Sequence, residues 1–295
     1  MSLVFEPVAL TGADGSALFL RRAGHGPAVL LLHGFPQTHL MWRDIAPRLA
    51  GAFTVICADL PGYGESDPTP AGQDVQSKRA MAQVLVEAMA TMGFERFAVV
   101  GHDRGGRVAY RMALDHPGRV TAVAALDIIP TEAAWARADD RFALAYWPFS
   151  FLAQPAPLPE RLLSGCPEAV VDAALSQWGT PAEVFPAEVR LAYLDALRDP
   201  GRAQAICQEY RAAASTDRDH DRQDLSAGRR IACPLLALWS ADGPLGAWFA
   251  AEGGPLAIWR AYADRVEGEG VRGGHFFPEA YPTETAARLR AFLQR

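Results

Sequence analysis

The chain has 295 residues, of which half are apolar and 21% are charged, and its formal net charge is −6. This composition is typical of a globular protein, and mild acidity without a basic stretch argues against nucleic acid or an anionic membrane surface as a partner. No apolar run approaches the roughly 18 to 20 residues of a membrane helix, and the first residues lack the basic and apolar regions of a signal peptide. We therefore expect a cytoplasmic protein.

The cysteine and histidine spacings predict no disulfide framework and no metal site. The four cysteines lack C-x-x-C spacing, and Cys57 and Cys233 lie in or beside predicted strands, where we interpret them as small buried apolar residues. His33, His102 and His275 are far apart, and no H-x-x-H spacing occurs. We expect neither a metal nor a cofactor.

In chain order, the first predicted elements are the strands Val4–Leu10 and Ala17–Arg21, an antiparallel hairpin around the turn Gly12–Gly15. Four apolar runs then indicate strands buried on both faces of a parallel sheet, namely Ala28–Leu32, Thr54–Ala58, Phe97–Val100 and Val120–Leu126. Apolar residues at helical spacing predict helices over Ser77–Met92 and Gly105–Leu114. This alternation predicts an α/β fold with right-handed crossovers.

The alternation breaks after Pro130. From there to about Gly228 the chain is rich in Ala, Leu, Trp, Pro and Arg without a strand-like run, which indicates an inserted helical cap. The sheet pattern returns at Leu235–Leu238, and a final amphipathic helix is predicted over Thr283–Leu293. We predict a core of residues 1–130 and 227–295, with the cap at 131–226.

The segment Val99–Arg107 reads V-V-G-H-D-R-G-G-R, and it follows a predicted strand and opens a predicted helix. In α/β-hydrolases the equivalent G-x-S-x-G turn holds the nucleophile, and its glycines allow strand and helix to approach closely. Asp103 occupies the nucleophile position. The helix N-terminus favours a charged carboxylate there, so we expect Asp103 to be ionised at neutral pH. Taken alone, the segment favours a plain turn, and the motifs that follow shift the interpretation towards a nucleophile.

A second motif, His33-Gly34-Phe35-Pro36, ends another predicted strand. H-G-x-P at this place commonly supplies one backbone N–H of an oxyanion hole, and the residue after the nucleophile supplies the other. The motif therefore predicts Phe35 and Arg104 as backbone donors, with a simple turn as the alternative.

The third motif, Gly274-His275-Phe276-Phe277-Pro278, comes after the last predicted strand. The hydrolase order of nucleophile, acid and histidine predicts His275 as the general base. Two acids could orient it, Asp127 and Asp242, since each follows a predicted strand. We prefer Asp127, because it directly terminates the strand after the nucleophile helix, and Asp242 is the fallback.

A carboxylate nucleophile suits displacement at a saturated carbon, with halide or an epoxide oxygen leaving, because attack on a carbonyl would give a mixed anhydride. Water activated by His275 then hydrolyses the ester at the Asp103 carboxyl carbon without cofactor or metal. Arg104 and Arg107 follow the nucleophile by one and four residues, and a guanidinium binds a carboxylate bidentately. They indicate an anionic substrate such as a 2-halo acid, unless they pair with acids of the core or cap.

With these motifs, further segments resemble the fluoroacetate (haloacetate) dehalogenases over nearly the whole chain. They are D-L-P-G-Y-G at Asp59–Gly64, L-D-I-I-P at Leu126–Pro130, F-L-A-Q-P-A-P-L-P-E at Phe151–Glu160, E-Y-R-A at Glu209–Ala212 and G-H-F-F-P-E at Gly274–Glu279. The resemblance implies an α/β-hydrolase fold with a mostly parallel central sheet, helices on both faces and an inserted helical cap. It implies nucleophile Asp103, acid Asp127, base His275 and a carboxylate clamp of Arg104 and Arg107. We also expect a homodimer.

The cap departs from the family pattern at the halide site. Defluorinating members have a His-Trp pair just before the F-L-A-Q segment and a Tyr past E-Y-R-A, whereas this chain has Pro148, Phe149 and Ser215 there. Pro and Phe offer no donor to a leaving fluoride. Tyr146 and Trp147 lie just upstream and could take the place of the family's His-Trp pair only if the chain is locally shifted relative to the family pattern. We therefore expect chloro- or bromoacetate rather than fluoroacetate as substrate. The candidate cap contacts to it are Tyr146, Trp147, Phe149 and Ser215.

Two other functions fit part of the pattern. An epoxide hydrolase would use the same three catalytic residues, with Tyr146 or Tyr210 protonating the opening oxygen, and would not need the two arginines. A non-catalytic receptor for a small carboxylate would need the arginines, but the complete acid–base set argues against it.

Overall fold

The computed structural model of the chain describes residues 5–12, 15–70 and 75–295. Val4, at the start of the first predicted strand, and Ala13 and Asp14 of the predicted turn lie outside the described residues. Within that part of the chain, no helix is long and apolar enough to cross a membrane.

The described residues form one eight-stranded sheet. Its strands are β1 Glu6–Thr11, β2 Ala17–Gly24, β3 Ala28–Leu32, β4 Thr54–Ala58, β5 Phe97–His102, β6 Val120–Leu126, β7 Leu235–Ser240 and β8 Val266–Val271. Their order is β1-β2-β4-β3-β5-β6-β7-β8. β2 is antiparallel to β1 and to β4, and every other pair is parallel. The predicted hairpin and the predicted parallel sheet are both confirmed.

Fifteen α-helices lie within the described residues. They are α1 Ala46–Leu49, α2 Lys78–Thr91, α3 Asp103–Asp115, α4 Thr131–Ala136, α5 Asp140–Ala145, α6 Trp147–Phe151, α7 Leu158–Gly165, α8 Pro167–Gln177, α9 Ala187–Arg198, α10 Pro200–Ala214, α11 Thr216–Ser226, α12 Pro244–Trp248, α13 Gly254–Trp259, α14 Phe277–Ala280 and α15 Pro282–Leu293. Three 3-10 helices accompany them, His39–Trp42, Ala182–Val184 and Ala250–Glu252. Ser77 caps α2, where its hydroxyl accepts a hydrogen bond from the backbone N–H of Ala80.

The central strands are buried on both faces because their side chains alternate between two separate hydrophobic clusters. Leu30 of β3 and Val99 of β5 belong to the cluster that contains α2 and α3. Val29 of β3 and Val100 of β5 belong to the cluster that contains α1 and α15. Each fully buried aliphatic side chain contributes about 1.5 to 3 kcal/mol relative to exposure. This alternation explains the predicted helices on both faces of the sheet.

Between β6 and β7 the chain forms α4 to α11 without a described strand, which agrees with the predicted helical insertion. Buried ion pairs attach α11 to α3. The Arg111 guanidinium lies 2.7 Å from Asp221 and also binds Asp224, and the Tyr110 hydroxyl donates to Asp221 at 2.8 Å. Such pairs fix the register between two helices more than they stabilise the protein.

The strand β8 was not predicted. It reads Val-Glu-Gly-Glu-Gly-Val, so it lacks the apolar run that marks the other parallel strands. It lies at the sheet edge, where most of its side chains are at least partly exposed. A Cβ on Gly268 would lie 1.9 Å from the carbonyl oxygen of Ala237, so close approach to β7 requires glycine there.

Close contact between α3 and the end of β3 gives the first prediction. A Cβ on Gly105 would lie 2.4 Å from the carbonyl oxygen of His33, whereas a Cβ on Gly118 would meet nothing within 4 Å. We expect Gly105→Ala to lower the free energy of unfolding by about 2 to 3 kcal/mol, because backbone atoms must move apart. The matched Gly118→Ala control should stay within about 0.5 kcal/mol of the parent in urea denaturation. Equal effects of the two substitutions would contradict this account.

Candidate active site

Asp103 lies at the turn between β5 and α3, with a φ of +46°. A side chain with positive φ is uncommon, and such strain is found where a fold holds a functional residue. A Cβ on Gly101 would lie 2.2 Å from the carbonyl oxygen of Gly105, so both glycines of the turn are needed for its tightness. The backbone N–H of Gly105 donates to the carbonyl of His33 at 2.8 Å, which joins the turn to the end of β3.

The Asp103 carboxylate is buried but surrounded by positive charge. The backbone N–H of Phe35 donates to its Oδ1 at 3.0 Å. Burial alone would raise the pKa of Asp103, but the charges of His275 and Arg104 and the Phe35 hydrogen bond outweigh it and hold the pKa below its usual range. Asp103 is therefore ionised at neutral pH, as the sequence predicts.

His275 faces this carboxylate from the loop before α14, and the structure brings Asp127 rather than Asp242 to it. His275 Nδ1 lies 2.6 Å from Asp127 Oδ2, and Asp127 Oδ1 accepts the backbone N–H of Ser240 at 2.8 Å. Asp127 has a φ of +52° at the end of β6. Asp242 is exposed and accepts the backbone N–H of Gly273 at 3.2 Å.

The hydrogen bond to Asp127 assigns the Nδ1–H tautomer to a neutral His275, which leaves Nε2 as a base. Burial alone would lower the pKa of His275. The hydrogen bond and charge of Asp127, together with the charge of Asp103, outweigh burial and raise that pKa above its usual value.

A second histidine, His102, contacts the backbone and the ring of His275. His102 Nε2 lies 2.9 Å from the carbonyl oxygen of His275, and the two ring centroids are 4.6 Å apart. Burial, together with the charge of His275, lowers the pKa of His102 to about 4, so this ring is neutral at physiological pH. His102 Nδ1 contacts the Gln37 side chain at 3.2 Å. His102 therefore positions the loop of His275 without adding charge.

The two predicted arginines lie side by side over the ring of Phe149. The Arg104 and Arg107 guanidinium carbons are 5.2 Å and 4.9 Å from its centroid. Arg107 Nη1 donates to the carbonyl of Ile129 at 3.1 Å and to the Thr131 hydroxyl at 3.2 Å, which are both neutral. Among the described residues, Arg107 Nε and Arg104 Nη1 are buried without a hydrogen-bond partner. Unpaired buried donors are rare and favour an acceptor ligand.

Asp103, Asp127, His275 and Arg107 line a small cavity that offers about 20 Å³ to the centres of water-sized molecules, and Arg104 lies outside its lining. It is lined by polar groups at one end and by aromatic and aliphatic side chains at the other, namely Asp103, Arg107, Asp127, Ile128, Ile129, Ala134, Phe142, Tyr146, Phe149, Leu245, Phe249 and His275. The space holds one or two waters, so only a ligand of a few heavy atoms fits without local opening.

The four predicted cap contacts divide into two pairs. Tyr146 and Phe149 line the cavity, and among the described residues the Tyr146 hydroxyl has no hydrogen-bond partner. Trp147 is not among the lining residues and packs on Phe151. Ser215 needs a correction, because it is exposed just past the end of α10 and its hydroxyl binds the carbonyl of Arg211 at 2.7 Å. Its side chain does not reach the cavity.

Some residues at the site were not singled out from the sequence. Glu209 binds Arg104 through a buried bidentate contact, although the E-Y-R-A segment was recognised only as a family motif. Trp178 accepts the backbone N–H of His275 at 2.8 Å through its carbonyl, and its ring packs on the imidazole. The spacing of Glu209 and of Trp178 in the sequence does not indicate that either residue lies at the site. Phe142, Leu245 and Phe249 complete the apolar wall.

The arrangement provides a buried carboxylate, a base oriented by an acid, and a cationic wall. In the described part of the chain, no group of three or more His, Cys, Asp or Glu side chains could hold a metal ion. Such a site can perform nucleophilic catalysis on a small anion.

The Asp127–His275 pair gives the second prediction. Asp127→Asn should lower the pKa of His275, because the substitution removes the negative charge that raises this pKa and replaces the carboxylate by a neutral amide. The pair stabilises the fold fully below about pH 6.5, and this stability is lost as pH rises through the raised pKa of the folded state. NMR titration of His275 should give the lower pKa, and urea unfolding should give a larger loss of stability at about pH 5.5 than at about pH 8.5. Asp242→Asn is the control, and an equal pKa change there would refute the assignment.

Known proteins share this architecture. The family model of the α/β hydrolase fold matches residues 27–164. A fluoroacetate dehalogenase of Burkholderia sp is 43% identical over 273 residues, 92% of this chain and 88% of that protein. A soluble epoxide hydrolase of Corynebacterium sp. (strain C12) is 32% identical over 95% of this chain and 96% of that protein.

Solved structures agree with these relatives. A protein of Nostoc sp PCC 7120 assigned to the α/β hydrolases superposes with a TM-score of 0.92 at 43% identity and covers 98% of both chains. The epoxide hydrolase CorEH superposes with a TM-score of 0.83 at 26% identity, over 99% of this chain and 98% of that chain. The chain belongs to the α/β-hydrolase family, together with the fluoroacetate dehalogenase of Burkholderia.

Proposed function

We propose that the chain is a hydrolytic dehalogenase that acts on short 2-halo carboxylic acids through an ester on Asp103. The observation that carries this proposal is the unpaired guanidinium donors of Arg104 and Arg107 beside a buried, ionised carboxylate. A substrate carboxylate satisfies these donors and leaves its α-carbon next to Asp103. The Burkholderia relative, a fluoroacetate dehalogenase by name, supports the same substrate class.

In the first step, an Asp103 oxygen attacks the α-carbon and displaces halide, so that one C–O bond forms as the carbon–halogen bond breaks. The products are a halide ion and an ester on Asp103, in which the ester linkage is uncharged and the substrate carboxylate keeps its negative charge. Ionisation of Asp103 at neutral pH keeps its electron pair available for this displacement.

In the second step, His275 Nε2 takes a proton from water, and the hydroxide attacks the carboxyl carbon of the ester. The backbone N–H groups of Phe35 and Arg104 stabilise the oxyanion, and the 2-hydroxy acid leaves with an oxygen from Asp103. Loss of the Asp103 charge on alkylation removes one influence that raises the pKa of His275. The imidazole therefore becomes neutral more readily when the base is needed.

The leaving group would face the segment 131–226, which we propose as a cap over a core of residues 1–130 and 227–295. Phe149 has no donor, and Ser215 is remote, so the Tyr146 hydroxyl is the candidate donor at the cavity wall. Burial raises the pKa of Tyr146 well above its ordinary value, so the hydroxyl keeps its proton. One neutral donor suits chloride or bromide better than fluoride, which depends most on stabilisation in the transition state.

An epoxide hydrolase remains the second candidate, and the Tyr146 hydroxyl is the observation that favours it. A phenol beside Asp103 could protonate the oxygen of an opening epoxide. The Corynebacterium relative, a soluble epoxide hydrolase by name, is 32% identical to this chain over 95% of its length. The unpaired arginine donors favour the halo acid instead, because a neutral epoxide has no carboxylate to accept from them.

The third prediction concerns the covalent intermediate. His275→Asn should release about one chloride per protein from chloroacetate and then stop, because the ester forms but is not hydrolysed. Mass spectrometry should find a carboxymethyl adduct on the peptide that contains Asp103. In the parent protein, chloride release should exceed fluoride release from fluoroacetate by about 100-fold or more, roughly 2.7 kcal/mol in the barrier. Brisk fluoride release would refute the halide preference, and absence of an adduct would refute the mechanism.

The fourth prediction separates the two candidate activities. Arg104→Ala should reduce kcat/KM for chloroacetate by about 100-fold, because the cationic wall loses a guanidinium. It should reduce any turnover of a small neutral epoxide such as propylene oxide much less, because a neutral substrate does not need the guanidinium, although Asp103 loses a neighbouring charge. Tyr146→Phe is the reciprocal variant and should affect the epoxide more than chloroacetate. An epoxide turned over faster than chloroacetate by the parent protein would favour the second candidate.

A further inference from the structure

Arg104 belongs to a buried charge cluster, which we define as Lys78, Arg104, Glu209 and Asp217. All four side chains are at most 3% exposed. Lys78 lies at the start of α2, Arg104 in the first turn of α3, Glu209 on α10 and Asp217 on α11. The cluster therefore joins the nucleophile helix to the inserted helical segment directly behind the candidate active site.

One edge of Arg104 is fully occupied by Glu209. Arg104 Nε lies 2.9 Å and 3.0 Å from the two carboxylate oxygens, and Nη2 donates to Oε1. The guanidinium also stacks on Tyr210, with its central carbon 4.0 Å from the ring centroid. The unpaired Nη1 lies on the side away from Glu209. These contacts hold a planar, rigid fork in one orientation.

Glu209 itself has two further partners. Lys78 Nζ makes a close ion pair with its Oε1, and the Tyr63 hydroxyl donates to Oε2 at 3.2 Å. Lys78 Nζ also lies 3.4 Å from Asp217 Oδ2. Counted with Arg107, whose hydrogen-bond partners are neutral, the three cations face three carboxylates, namely Glu209, Asp217 and the ionised Asp103. Burial, together with the charge of Arg104, lowers the pKa of Lys78 to about 7.

We propose that Glu209 is a positioning residue that fixes Arg104 with only its Nη1 edge free, and that Lys78 offsets the charge of Glu209. The substrate carboxylate then receives one edge from Arg104 and one from Arg107, rather than a bidentate fork from either. This inference rests on the proposed function for its substrate class.

The test uses the ratio of kcat/KM for chloroacetate to that for chloroacetamide, its neutral analogue. Glu209→Gln should lower this ratio about tenfold through kcat, because Arg104 stays charged but is no longer held in place. Burial lowers the pKa of Lys78 to about 7, so the assay is run at about pH 6, where Lys78 is protonated. Lys78→Gln then removes the positive charge that offsets Glu209 and should lower the ratio about fivefold through the KM of the acid.

Asp224→Asn is the matched control, because Asp224 is a buried partner of Arg111 two helical turns farther along α3. It should lower Tm as the other variants do and leave the acid-to-amide ratio within about twofold. An unchanged ratio in Glu209→Gln or Lys78→Gln, or an equal change in Asp224→Asn, would overturn the proposal. If Glu209→Gln does not fold, Lys78→Gln decides alone.

Binding of acetate, measured by calorimetry, separates this inference from the proposed function. In one outcome, the parent protein releases no halide but binds acetate, and Lys78→Gln weakens that binding about fivefold. The proposed function then fails, and the inference about the charge cluster holds. If chloroacetate is turned over and Lys78→Gln binds acetate as tightly as the parent protein does, the inference about the charge cluster fails and the proposed function holds.

Discussion

A buried negative charge on Asp103 is the constraint on which the site depends. An unpaired carboxylate in the interior costs several kcal/mol, so the fold must surround it with donors and cations. The Phe35 N–H, the Arg104 charge and His275 supply them from three separate parts of the chain. The positive φ of Asp103 and the glycines of its turn bring these parts together. The sheet, the glycine turn and the surrounding charges therefore all serve to stabilise the buried Asp103 carboxylate.

The same requirement explains why the charges extend beyond the cavity. Arg104 is itself fully buried and pairs with Glu209 of the helical insertion, and Glu209 also pairs with Lys78 of α2. A cation left without Glu209 would repel Lys78. In our proposal, the helical insertion contributes to the site by orienting the Arg104 guanidinium.

The sequence predicted the parts that depend on local pattern. Apolar runs placed β3, β4 and β6 at their observed bounds, and the G-x-D-x-G turn placed Asp103. The sequence could not predict β8, because the glycines and glutamates of this strand do not form an apolar run. Alignment by position put Ser215 in the site, but only the structure shows that α10 ends before it and turns its hydroxyl back on the helix. Pairing of Arg104 with Glu209, 105 residues apart, also depends on tertiary folding.

Oxygen labelling tests the central claim that Asp103 attacks carbon directly. Excess protein should turn over chloroacetate once in water enriched in ¹⁸O, followed by mass spectrometry of the product and of the Asp103 peptide. If an ester forms, the first glycolate carries an unlabelled oxygen from Asp103, and the carboxylate gains the label when water attacks its carbon. If His275 instead directs water at the α-carbon, the first glycolate carries ¹⁸O and the Asp103 peptide stays unlabelled, which would contradict the account.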